Sequence, residues 1–158
     1  MADDKTNVMR VLEQKKIPYT PHAYDTSDGA LDGVTAAERT GLDPDMVYKT
    51  LVTRGAGGPY YVFVIPVARE LDLKAAARAA GEKSVEMIRQ AQLLPLTGYV
   101  HGGCSPVGMK KQFTTFLDDS ARGRKAIGVS AGKVGRQVEL SPDDLAKLVR
   151  AKFAAVSK

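Results

Sequence analysis

The chain has 158 residues, 44% apolar and 26% charged, with a net charge of +5 and a pI near 9.3. This composition suits one folded domain with its own core and excludes a disordered chain, and no apolar run approaches the ~20 residues that span a bilayer. A single cysteine forms no internal disulfide, and no CxxC or HxxxH pair has zinc-ligand spacing, so neither metal nor cofactor is expected.

The polar start, MADDKTNVMR, carries acids and is not a secretory signal. Residues 5–16 place Val8, Val11 and Leu12 on one helical face. In IPYTPHAYD, prolines 18 and 21 forbid a helix and favour an extended edge segment. Residues 24–34, YDTSDGALDGV, form the longest irregular stretch. TAAERTG then predicts a helix with Thr35 as N-cap, Glu38 completing a capping box and Gly41 as the stop. MVYKTLVTR predicts a strand, GAGGP a turn, and YYVFVIPV a central strand apolar on both faces. An alanine-rich helix runs from Asp72 to Gly81, and SVEMIRQAQLL predicts a second, capped by Ser84. Strands are expected at 98–101, 112–117, 125–130 and 136–140, and SPDDLAKLVRAKF closes as a helix capped by Ser141. The expectation is an α/β (α+β) fold in a single domain, residues 1–158: a mixed, barrel-like curled sheet flanked by helices.

The chemistry-bearing stretch is YVHGGCSPVGMKKQF, residues 99–113, open to three readings: nucleophile loop, anion cradle or plain turn. Gly102 and Gly103 expose consecutive N–H groups, able to hold an anion or a developing oxyanion. Cys104 lacks an activating base: His101 lies three residues back and, on a strand, would face the other way. Ser105 is outside any GxSxG elbow. Lys49 shares a strand face with Val47 and Leu51. It is either aimed into a pocket or solvated at a bulged edge. Ser130 opens the small-residue turn SAGKVG.

Taken in order, IPYTPHAYD, VYKTLV, YYVFVIPV, LDLKAAARAAG, KSVEMI, TGYVHGGCSPVGMKK and VSAGKVG resemble the YbaK/EbsC family over nearly the whole chain. That family includes Cys-tRNA(Pro) deacylases and is related to the editing domain of bacterial prolyl-tRNA synthetases. The resemblance implies a cytoplasmic trans-editing deacylase that removes cysteine from mischarged tRNA(Pro), with alanine or another small amino acid as the alternative substrate. Its implied partners are mischarged tRNA(Pro) and prolyl-tRNA synthetase, with no membrane and no metal. Under it, Lys49, Gly102 and Gly103 are catalytic, with Lys49 holding the ester or the ribose-phosphate end. Tyr24, Ser130, Ser105 and Gly108 line the substrate pocket, and Cys104 and Gln137 depart from the family pattern. In cysteine-specific relatives the substrate's own thiol attacks and leaves as a cyclic thiolactone. Lys110, Lys111, Lys133 and Arg136 are candidates for meeting acceptor-stem phosphates. A non-catalytic tRNA- or synthetase-binding module is the alternative from another class.

Overall fold

The computed structural model describes residues 5–26 and 33–158. Its elements are α1 (Asn7–Gln14), β1 (Thr20–Ala23), α2 (Gly33–Thr40), β2 (Tyr48–Gly55), β3 (Tyr60–Pro66), α3 (Leu73–Ala80), β4 (Val85–Met87), α4 (Gln90–Thr97), β5 (Thr114–Asp118), β6 (Ile127–Ser130), β7 (Arg136–Leu140), α5 (Pro142–Val149) and β8 (Lys152–Ala154). They build two sheets, ordered β1-β7-β6 and β4-β2-β3-β5-β8. A parallel bridge between Val47 and Gly128 joins them where β2 begins. The fold is therefore mixed α+β and curled, but the sheet does not close into a barrel.

β3 is central, as its two-faced apolarity requires. It pairs antiparallel with β2 and parallel with β5. Val62 and Val64 enter the main core with Val8, Leu12, Ile127, Val129 and Leu145. Phe63 and Ile65 point the other way, into a second core under α3 that includes Ala76, Ala77 and Phe116. The rings of Phe63 and Phe116 stack at 5.3 Å across that layer. Pro21 sits in β1, at the outer edge of its sheet, where its missing N–H leaves no ladder position empty.

Of the expected caps, Asp72 and Ser141 hold, while Thr35 and Ser84 do not. Thr6 caps α1, Asp72 caps α3 and Ser141 caps α5, each accepting from the first turn. Elsewhere tertiary pairing overrides the local signals. Residues 85–87 are strand, not helix, because the free edge of β2 takes them up: Thr53, Arg54 and Gly55 pair with Met87, Glu86 and Val85. The closing helix stops at Val149, with Arg150 left-handed at φ 57°. The chain then adds β8 parallel to β5. Residues 98–101 form no strand, since Gly98 ends α4 at φ 86° and a tight turn follows. Thr35 lies inside α2, not at its cap. The helix begins at Gly33, where a Cβ would come within 2.5 Å of the Val67 side chain. Most of the irregular stretch at 24–34 lies outside the described residues.

Candidate active site

β2 bonds to β3 along its whole length but to β4 only over residues 53–55. The Val67 N–H donates to the Val47 carbonyl. By the alternation of an antiparallel ladder, Lys49 and Leu51 then bond inward to β3, while Tyr48, Thr50 and Val52 turn their backbone groups to the far edge. Val52 uses that edge to accept from Ile88 at 3.3 Å. Thr50 does not reach β4, and a cleft of about 350 Å³ opens beside it. Tyr24, Lys49, Leu51, His101, Gly102, Cys104, Ser130 and Gln137 also line this cleft.

The opposite wall is the loop after α4. The Gly103 N–H donates to the Val100 carbonyl at 3.0 Å, closing a four-residue turn with Gly102 at φ 88°. That position requires glycine. Gly103 is constrained differently: a Cβ there would lie 3.1 Å from the Val134 nitrogen, so this loop and the turn after β6 touch backbone to backbone. With its N–H spent on the turn, Gly103 is not the second donor of an anion cradle, and of the pair only Gly102 lines the cleft. The loop is braced from behind, where the Tyr99 hydroxyl donates to the Val107 carbonyl at 2.5 Å.

Three features give the cleft its chemistry. Lys49 is half-buried, and that burial lowers its pKa, opposed by the charge of Glu70. Thr50 Oγ1 and Gln137 Oε1 are buried without a hydrogen-bond partner, although Gln137 is only 5% exposed. Buried polar atoms are rarely left so, and two of them on residues lining one cleft set it apart from the rest of the core. Cys104 and His101 both line the cleft instead of facing apart, because the expected strand is a turn. Burial pushes the Cys104 pKa up to about 12, which favours the thiol over the nucleophilic thiolate.

Of the sequence-predicted residues, Lys49, Gly102, Tyr24 and Ser130 meet here. The Ser130 hydroxyl accepts from the Gly132 N–H at 3.1 Å, which fixes the turn. Ser105 does not reach the cleft: it is fully buried, and its hydroxyl accepts from Val107. Gly108 lies away too, at φ 78° against Tyr99 and Asn7. Lys110, Lys111 and Lys133 are exposed outside the cleft, and Arg136 is half-buried beside Gln137. Thr50 was not legible in advance, because an orphaned hydroxyl is defined only by what surrounds it. Among the described residues no three His, Cys, Asp or Glu side chains gather where they could hold a metal ion. No described helix is long and apolar enough to cross a membrane.

The aminoacyl-tRNA editing domain profile matches residues 29–148. A protein of Enterococcus faecalis named as a candidate Cys-tRNA(Pro)/Cys-tRNA(Cys) deacylase, EbsC, is 46% identical over 99% of this chain and 95% of its own. Among solved structures, a hypothetical protein superposes with a TM-score of 0.87 at 24% identity, covering 97% of this chain and 100% of that one. A candidate trans-editing enzyme for prolyl tRNA synthetase superposes at 0.82 and 23% identity, covering 98% of both chains. At those identities the two structures speak for the fold alone. The profile over three quarters of the chain, with the near full-length identity to EbsC, places this protein in the aminoacyl-tRNA editing-domain family.

Proposed function

We propose that this protein is a trans-editing deacylase that cleaves the ester joining cysteine to the 3′-terminal adenosine of mischarged tRNA(Pro). The observation that carries the reading is the cleft's chemistry: a half-buried cation, two residues with orphaned polar atoms and a cysteine favoured as a thiol line one cleft. Such a site supplies position and charge to a substrate that is already activated. The Lys49 ammonium offsets negative charge on the ester carbonyl oxygen as the tetrahedral carbon forms. Gly102 brings backbone close to the same carbonyl. Thr50 Oγ1 and Gln137 Oε1 accept from the substrate's ammonium or ribose hydroxyl. The attacking group is then the substrate's own thiol: its sulfur bonds to the carbonyl carbon and the bond to the ribose oxygen breaks. The thiol proton ends on that oxygen, and the cysteine leaves as a cyclic thiolactone that water opens.

The test is loss of ester from Cys-, Ala-, Ser- and Pro-tRNA(Pro) with purified protein. Rapid loss from the cysteine ester with retention of proline is expected. Equal loss from all four would remove the specificity, and no loss from any would leave a binding module. Cys104→Ala should keep deacylation within several-fold. A trapped acyl-enzyme on Cys104 would replace the substrate-thiol step with a protein nucleophile.

A further inference from the structure

A basic and aromatic strip leads away from the cleft mouth, and it is traced by contacts. His101 lines the cleft, and Val100 beside it is 50% exposed. Lys110 lies over the end of α4, its N–H bonded to the Thr97 carbonyl and its stem against Gly98. Lys111 follows, with its ammonium 6.0 Å from the Phe113 ring centre. Phe113 meets Tyr60 at 5.6 Å, and the Arg54 guanidinium stands 5.8 Å from the Tyr60 ring. Lys110, Lys111 and Arg54 are exposed, and both rings are half-exposed. Two acids lie nearby: Glu86 stands opposite Arg54 in β4 without an ion pair to it, and the Tyr61 hydroxyl and Gly57 N–H keep Glu82 a carboxylate. The three exposed cations Lys110, Lys111 and Arg54 still outnumber these two carboxylates.

We infer that this strip is the landing surface for the acceptor strand of the RNA whose 3′ end enters the cleft, an inference that rests on the deacylase reading above. Cations over ring faces keep N–H groups free for phosphates, while rings offer stacking surface to unpaired bases. The reach fits as well. Arg54 lies four residues beyond the cleft-lining Thr50, on the same face of β2, about 14 Å away at a strand's rise. Phosphates a few nucleotides inside the 3′ end come within that distance of the cleft.

The experiment measures deacylation of Cys-tRNA(Pro) and of cysteinyl-adenosine by wild type, Arg54→Gln and Arg54→Gln/Lys111→Gln. On tRNA the double variant should raise KM about tenfold and reduce the slope of log KM against log salt by about 1.4, two single-strand contacts. On cysteinyl-adenosine, which lacks those phosphates, Arg54→Gln should match wild type. An unchanged KM and salt slope on tRNA overturns the inference, as does equal loss on both substrates. So does a loss confined to affinity for purified prolyl-tRNA synthetase, which would make the strip a protein-docking face. If wild type cleaves neither ester, the deacylase reading fails on its own. Fluorescence anisotropy of an acceptor-stem hairpin still reads the strip in that case, with weaker binding by the double variant expected and equal binding overturning it.

Discussion

The two ends of the five-stranded sheet treat polar groups in opposite ways. Where β5 meets β8, the buried Asp118 carboxylate accepts from the Val156, Ser157 and Ser120 N–H groups and from the Ser157 hydroxyl, all at 3.0–3.2 Å. The tail continues as a bridge from Ser157 to Leu71, with reciprocal bonds between Glu70 and Lys158. Toward the other edge, beside β2, Thr50 and Gln137 keep orphaned polar atoms next to a partly desolvated lysine. The first region is saturated and holds the fold together. The second leaves buried polar atoms unpaired, at about 1–3 kcal/mol for each. The contrast teaches that the candidate site stands out by what it leaves unsatisfied as much as by any reactive side chain.

The largest effect should come from Lys49→Ala. Loss of at least ~100-fold in kcat/KM is expected, the scale of removing one group that stabilises a developing oxyanion. The thermal midpoint should barely move. Burial lowers the Lys49 pKa, so activity that needs the cation should fall as pH rises, at a pH below that of an ordinary lysine. A pH–rate profile that rises through the same range would instead make the neutral amine a base. Wild-type turnover by the alanine variant would remove Lys49 from the mechanism.

Asp118→Ala should break the saturated side without touching the chemistry. Leaving these buried donors unpaired should cost about 3 kcal/mol, or about 6–12 °C in thermal midpoint. Turnover of the folded fraction should stay near wild type. Burial raises the Asp118 pKa, but its hydrogen bonds outweigh that and leave it lowered. Its stabilisation is therefore complete above the ordinary carboxylate pKa and is lost as pH falls through the lowered value. Acid titration of stability should show wild type losing its advantage over Asp118→Ala in that window.

The smallest effect sharpens the comparison. Thr50→Val replaces an orphaned hydroxyl with a methyl of similar shape, so stability should hold or rise by up to ~1 kcal/mol. KM for the aminoacyl ester should rise several-fold. A stability loss approaching that of Asp118→Ala would mean that the hydroxyl has a structural partner after all.

Much of the scaffold was legible because its causes are local. The caps at Asp72 and Ser141, the GAGGP turn and the two-faced apolarity of β3 each need only neighbouring residues to be read. The same holds for Lys49, whose odd place among apolar neighbours is a pattern along one strand. Elements that exist only through a partner were misread. β4 forms on the free edge of β2, and β8 forms on β5, from residues with acceptable helical patterns.

By itself, then, the sequence determined the caps at Asp72 and Ser141, the central strand and the GAGGP turn, and through its motifs the family, while it left Lys49 between a pocket and a solvated edge. Only the tertiary structure decided which glycine faces the cleft, since the N–H of Gly103 is consumed by a turn and its α-carbon by contact with Val134. It likewise brought Thr50 on β2 and Gln137 on β7 to one cleft and left both polar atoms without partners. The physical reason is that hydrogen-bond satisfaction and desolvation belong to the space between elements, which no run of neighbouring residues contains.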